Sequence, residues 1–268
     1  MPRVSILAKI NIKPNKTAVL KNYILTCSSG VIVFFQFRKI IVMPNQSYFE
    51  GQTIGSAMFA AIKGVHTRSE VKEGFDLVAQ IASGRCLLVG EGNLSFAKSL
   101  LSFQRVSPSK IVATTFERLN SLSEETVANA KYLSEKGVVI LNGVNARKLN
   151  LAIGSNKFST IVFQFPHTGR RHPAEGKNPN YVLVRDFLNS ARGHLIQNGL
   201  VCISAVDSPH YQGAFQFEKA AASAGYNPPA IYPFAPKRFK RYTHTMTHED
   251  GSALGGHRNF KTWVFKPK

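Results

Sequence analysis

Cys86-Leu87-Leu88-Val89 is an unbroken apolar run that stops abruptly at Gly90-Glu91-Gly92-Asn93. Four apolar residues closed by a glycine turn read as a strand buried on both faces. Leu94 to Phe103, which follows, has the pattern of a helix. A strand that ends on Gly-x-Gly and runs into a helix is the opening unit of an α/β sheet. Glycine in that turn permits backbone angles closed to other residues and lets a ligand approach the main chain. The helix start behind it offers unpaired N–H groups. Gly-x-Gly alone marks a nucleotide-like ligand only weakly, so the rest of the chain has to decide.

Downstream the same unit repeats. Val71, Phe75, Val78 and Ile81 are spaced as one face of a helix ending before Gly84. Strands are expected at Cys86–Val89, Ile111–Phe116, Val138–Leu141, Phe158–Phe165, Leu200–Val206 and Thr262–Phe265. Between them lie helices at Leu94–Phe103, Glu124–Lys136, Tyr181–Ile196 (stopped by Asn198-Gly199) and Gly213–Ala224. This alternation predicts βαβ units and a largely parallel, doubly wound sheet.

Residues 1–70 differ from the domain expected over 71–268. Up to Ser69 the only acidic residue is Glu50, against nine Lys and Arg. Val31–Phe35 and Ile40–Val42 fit strands or parts of a buried helix equally well, and no motif stands out. We read 1–70 as a basic N-terminal extension of unknown role, with part of its first forty residues poorly ordered. Tyr23–Phe37 is too short and too polar to span a membrane, and no signal peptide is evident. A net charge of +19 favours a polyanionic partner, RNA or DNA first. Cys27, Cys86 and Cys202 lie far apart, which argues against a zinc site or disulfide framework and suits a reducing cytoplasm. Cys86 and Cys202 sit in apolar runs and read as core.

In an open parallel sheet, ligands bind beyond the carboxyl ends of the strands. The residues there are Gly90, Glu91, Gly92 and Asn93 after the first strand of this series and Glu117 after the second. Glu117 stands 25 residues past Gly92, near the offset at which an acidic side chain accepts ribose hydroxyls. Asn145, after the third strand, offers a donor and an acceptor to an adenine edge. Gln164-Phe165-Pro166-His167 follows the fourth. Ser95 replaces the third glycine of a dinucleotide fingerprint, which argues against NAD and for S-adenosylmethionine.

Gly90-Glu91-Gly92-Asn93-Leu94-Ser95-Phe96, Ala113-Thr114-Thr115, Phe163-Gln164-Phe165-Pro166-His167-Thr168-Gly169 and Tyr242-Thr243-His244 together resemble the eukaryotic large-subunit rRNA (uridine-N(3))-methyltransferases, over roughly 84–268. The resemblance implies a Rossmann-like class I methyltransferase fold, S-adenosylmethionine as cofactor and ribosomal RNA as substrate, in the cytoplasm or, in a eukaryotic cell, the nucleolus. It implies that Gly90, Glu91, Gly92 and Asn93 form the methionine-side loop and Glu117 the ribose contact, with Phe165, Pro166 and His167 lining the target-base pocket. Asn145 stands where the family usually has Asp, and Gln164 where it has Asn.

Uridine N3 carries a proton that must leave, so His167 is the first candidate base and Gln164 would position the base. Asp207 is a second candidate base, more plausible as a helix cap before Ser208-Pro209. Phe165 and Tyr211 are available to stack on an extruded base, although Tyr211 reads first as an ordinary core or loop aromatic. Arg170, Arg171 and the run Lys237-Arg238-Phe239-Lys240-Arg241-Tyr242 would supply phosphate contacts interleaved with aromatics. The rival reading is a Rossmann-like module that binds RNA or a nucleotide and transfers nothing.

Overall fold

The computed structural model describes residues 74–169, 177–244 and 257–268, and the backbone of three short strands nearer the N-terminus. Those strands, β1 (Ser5–Leu7), β2 (Tyr23–Thr26) and β3 (Ile32–Phe35), pair antiparallel in the order β1-β2-β3. Between the two readings left open for Val31–Phe35, the strand is correct. Ile40–Val42, Cys27, Arg170 and Arg171 lie outside the described residues. The chain divides into two compact units, Met1–Val65 and His66–Lys268.

The larger unit is built on a seven-stranded sheet. Its strands are β4 (Cys86–Val89), β5 (Ile111–Thr114), β6 (Val139–Leu141), β7 (Phe158–Gln164), β8 (Leu195–Val206), β9 (Ala230–Pro233) and β10 (Phe260–Phe265). They lie in the order β6-β5-β4-β7-β8-β10-β9. The first five strands are parallel, while β10 runs antiparallel to both β8 and β9. The order reverses between β4 and β7, where a ligand crevice forms in such sheets.

Alternation of side chains assigns each strand to two cores at once. Leu87 and Val89 face one layer, with Ile161, Phe163, Val184 and Phe187. Cys86 and Leu88 face the other, with Ile81, Phe96, Leu100 and Val162. Helix α1 (Leu77–Ala82) is capped by Asp76, whose carboxylate accepts from Val78 N. With α2 (Ser95–Leu100) and α3 (Glu124–Glu135) it contributes to the second layer. After the short α4 (Asn150–Ile153), helices α5 (Pro179–Arg192), α6 (Pro209–Phe215) and α7 (Phe217–Ser223) contribute to the first. Cys86 and Cys202 are fully buried, as expected, and burial pushes both thiols up, Cys202 to about 12.

Several boundaries differ from the sequence reading. The helix expected to run to Ile196 ends at Arg192. Leu195 pairs with Phe158 and so belongs to β8, and Asn198-Gly199 is an irregularity inside that strand, with Asn198 at φ 61°. The helix expected over Gly213–Ala224 is two helices, broken where Gln216 turns left-handed (φ 46°). Strand β9 had no signal beyond Ala230-Ile231-Tyr232, and β10 adopts the antiparallel place between β8 and β9. Among the described residues no helix is long and apolar enough to cross a membrane.

Candidate functional site

At the carboxyl ends of β4, β5 and β7 a cavity of about 450 Å³ opens, a size that holds a cofactor-scale ligand. Gly90, Glu91, Gly92, Asn93, Glu117, Asn145, Gln164, Phe165 and His167 all line it. The nine candidate cofactor and catalytic residues therefore converge on one site, although up to 77 residues separate them in sequence. Their side chains divide sharply in what they do.

Three of the loop residues hold the loop. Gly90 sits at φ 64°, and a Cβ there would lie 2.7 Å from the Phe163 ring. Its N–H donates to Thr114 Oγ1 at 3.2 Å, and Glu91 N–H donates to the Thr114 carbonyl at 2.8 Å, which ties the turn to the end of β5. The Glu91 side chain is buried and accepts from Ala97 N at 2.9 Å, serving the start of α2, whose own cap position (Leu94) has no side-chain acceptor. Burial pushes its carboxyl up to about 7, against the backbone N–H groups of Ala97 and Phe96, which pull it down. Asn93 accepts from Ser95 N at 3.1 Å and donates to Thr243 Oγ1 at 2.7 Å. Glu91 and Asn93 thus line the cavity with side chains committed to the protein itself.

The opposite holds for other lining residues. Glu117 has its backbone fixed: its carbonyl accepts from Gly143 N at 2.8 Å and Thr115 Oγ1 at 2.9 Å. Its Oε2, however, is buried without a partner. Among the described residues four buried side-chain polar atoms lack a hydrogen bond: Glu117 Oε2, both Gln164 amide atoms and His244 Nδ1. All three residues line this cavity. Buried polar groups are normally paired, so such a cluster marks a surface shaped for a ligand that supplies the partners. Asn145 is exposed and its Oδ1 caps Arg147 N at 2.9 Å, a task Asp would perform equally. Its amide nitrogen is the group suited to an adenine edge.

Phe165 holds a left-handed backbone (φ 48°), with its N–H donated to the Ser204 carbonyl at 2.8 Å. Its ring packs edge-on against Phe234, His244 and Phe260, so it forms a wall of the cavity. The aromatic standing clear at the cavity is Phe116, 61% exposed, which carried no sequence signal beyond the end of a strand. Tyr211 stacks on Phe215 and lies outside the cavity lining, in keeping with its reading as a core aromatic. Asp207 lies outside the cavity lining and pairs with Lys261 at 2.7 Å, and it is Ser208 that caps α6.

The segment after β9 contributes more than the sequence reading allowed. Ser95 Oγ donates to the Thr243 carbonyl at 2.8 Å and Thr243 N–H donates back to Ser95 Oγ at 3.0 Å. This clasp brings Tyr242, Thr243 and His244 onto a cavity whose glycine loop lies about 150 residues earlier. The basic run before it is mixed in role. Lys237, Lys240 and Arg241 are exposed, whereas Arg238 bridges to Asp76 at 3.1 Å and lies over the Phe103 ring. Partial burial pushes the Asp76 carboxyl up, but hydrogen bonds from Arg238 and Arg105 outweigh it and hold the group well below the usual carboxylate range. The interleaved aromatics do not offer stacking faces to a nucleic acid. Phe239 is buried against Phe96, Phe103 and Phe234, and Tyr242 packs edge-on to Phe96. Among the described residues no group of three His, Cys, Asp or Glu could hold a metal.

Six strands running one way, one antiparallel strand inserted among them and a cavity at the strand-order reversal define a Rossmann-like fold of the class I methyltransferase type. A family model described as BMT5-like, rRNA (uridine-N3-)-methyltransferase BTM5-like, matches residues 87–246, more than half of the chain. The chain belongs to that family. It is 33% identical over 165 residues to the ferredoxin-fold anticodon-binding domain-containing protein 1 homolog of Mus musculus, covering 56% of this chain and 26% of that protein. It is 32% identical over 126 residues to heavy metal-associated isoprenylated plant protein 41 of Arabidopsis thaliana, covering 44% and 24%. The chain therefore spans about a quarter of the length of these curated relatives. Among solved structures, a methyltransferase from Pyrococcus furiosus is similar with TM-score 0.45 and 14% identity, over 81% of this chain and 98% of that one. Methyltransferases of this class use S-adenosylmethionine, and the cavity has room and chemistry for it: a left-handed glycine turn at its rim and, at Glu117 Oε2, a buried carboxylate oxygen with no partner in the protein.

Proposed function

We propose that this methyltransferase acts on N3 of a uridine in ribosomal RNA. Supporting this are the family to which the chain belongs and, on the site itself, the Gln164 amide, whose buried donor and acceptor both await a partner. Its Nε2–H suits a uracil carbonyl oxygen flanking N3, which leaves N3 itself open. S-adenosylmethionine when bound supplies an electrophilic methyl group on a sulfonium. Glu117 and the Asn145 amide would hold its ribose and adenine, with Gly90 and Gly92 giving close backbone approach.

N3 lies on the Watson–Crick edge, so the target uridine has to be unpaired or extruded. Its proton occupies the position the methyl group must take and therefore leaves first. The resulting charge spreads over O2 and O4, where Gln164 Nε2–H and the His167 imidazole would donate. Lys237, Lys240 and Arg241, with Arg170 and Arg171, would contact phosphates. This reading puts the protein where ribosomal RNA is made or used, the nucleolus or the cytoplasm. The test is methyl transfer from labelled S-adenosylmethionine to rRNA lacking the modification, followed by mass spectrometry of nucleosides. N3-methyluridine is the expected product. Cofactor binding without transfer would leave a binding module instead.

A further inference from the structure

We propose that His244 is the proton acceptor of this site and that His167 works beside it as a hydrogen-bond donor. The assignment rests on the uridine-N3 reading above. It starts from the direction of one hydrogen bond: His167 Nδ1 accepts the backbone N–H of Gly169 at 2.8 Å. A ring nitrogen that accepts carries no proton, so the neutral imidazole keeps its hydrogen on Nε2 and presents a donor. To take up a proton His167 would have to place it on Nδ1 and break that backbone bond.

His244 is built the other way. Its Nδ1 is buried at the cavity without a partner. Its ring meets Phe165 edge-on with centroids 5.2 Å apart, and Phe165 is itself pinned to β8 through Ser204. The adjacent Thr243 is clasped to Ser95 and Asn93, so the imidazole is held in register with the cofactor loop. Burial, and then the neighbouring His167, hold its titration below the ordinary histidine range, so the resting ring is neutral near pH 7.

The other titratable or charged groups lining the cavity are Glu91, Glu117, Arg147, His167 and Tyr242. Glu91 is committed to Ala97 N–H, Arg147 is paired with Asp186 and its guanidinium cannot take up a proton, and burial followed by the nearby Glu91 pushes the Tyr242 phenol up so that it stays protonated. Glu117 stands after β5 on the ribose side. In the step assigned to His244, the uridine N3–H bond breaks and an N–H bond forms at Nδ1. The electron pair stays on the uracil, delocalised onto O2 and O4, and the imidazolium later returns the proton to water.

The experiment is single-turnover methyl transfer to an rRNA fragment from about pH 5.5 to 9, with cofactor binding by calorimetry, in wild type, His244→Gln, His244→Ala and His167→Gln. Positioned proton transfer contributes about 10²–10⁴-fold, so H244Q should lose at least about 100-fold in rate while binding S-adenosylmethionine within about threefold. H244Q and H244A should lose the acidic limb of the pH–rate profile, and added imidazole should restore part of the H244A rate. H167Q should be slower with its acidic limb intact. An H244Q rate within about threefold of wild type, or loss of the acidic limb in H167Q, overturns the proposal. Should both His244 variants lose cofactor binding, the H167Q profile decides alone. Nitrogen-15 NMR of the wild-type histidine rings gives a readout without substrate: His167 should hold its proton on Nε2, and a proton on Nδ1 overturns the division of roles. If the wild type transfers nothing to uridine N3 while His167 shows that tautomer, the substrate reading has failed and not the histidine geometry.

Discussion

Two regions that line the cavity are made of the same kinds of residue and behave in opposite ways. In the glycine loop, Glu91 and Asn93 are buried, and their polar atoms bond to the protein's own backbone and to Thr243. In the segments after β5, at the end of β7 and after β9, Glu117, Gln164 and His244 carry buried polar atoms with no partner. The first region is complete without a ligand and the second is not. Polar residues at a site therefore divide into those that shape the cradle and those that meet what enters it, and hydrogen-bond satisfaction separates them where residue type does not.

The sharpest way to break this contrast is Gly90→Ala. The added Cβ meets Phe163 at 2.7 Å from a left-handed backbone, so the loop has to shift. Cofactor affinity should fall at least about tenfold and stability by about 1–3 kcal/mol, measured by calorimetry and urea unfolding. Wild-type affinity in that variant would show that the cradle is not where the cofactor sits.

Glu91 gives a pH signature of nearly the same size. Its folded carboxyl titrates at about 7, above the ordinary 4.5, so between those values the folded state binds more protons than the unfolded one. The stability it contributes is present below about pH 4.5 and is lost as pH rises through about 7, on the order of 3 kcal/mol. Glu91→Gln keeps an acceptor for Ala97 N–H and should flatten that slope in urea titrations. An unchanged slope would mean that the carboxyl is not held neutral.

Gln164→Leu and Glu117→Gln sharpen the comparison from the unpartnered side. Replacing a group with no partner should leave stability unchanged or raise it by about 1 kcal/mol, while methyl transfer (Gln164) and cofactor affinity (Glu117) fall about tenfold or more. A clear loss of stability in Q164L would place that amide among the structural residues after all.

The smallest effect divides the basic run. Arg238→Ala should lower stability by up to about 1 kcal/mol through its half-exposed bridge to Asp76. The triple change of Lys237, Lys240 and Arg241 to Ala should leave melting unchanged. It should make the log–log salt slope of RNA binding shallower by about 0.7–0.9 for each phosphate no longer neutralised. Equal salt slopes for the triple variant and wild type would remove this run from the RNA track.

Much of the site was legible because its residues sit where a rule of local geometry puts them. Gly90, Glu117 and Asn145 directly follow a strand or lie a few residues past its end, Gln164 is the last residue of β7, and strand ends could be read from apolar runs. The roles of Glu91, Asn93 and His167 were not legible. Their atoms are committed by Ala97, Thr243 and Gly169, and no spacing rule says which polar atom finds an intramolecular partner. Arg238 misled for a related reason. A cation beside Phe239 and Tyr242 has the pattern of a nucleic-acid contact, yet the aromatics turn inward and Asp76 takes the charge.

By itself the sequence determined the alternation of strands and helices, the two-faced burial of Cys86–Val89 and the need for glycine at 90, because periodicity and steric limits on φ act within a few residues. Only the tertiary structure decided that β10 enters between β8 and β9, that Leu195 leaves its helix for β8, and that Thr243 and His244 close on a loop 150 residues away. Those outcomes depend on which distant backbone groups pair. That choice is made by the burial and hydrogen bonding of the whole sheet, which no local window contains.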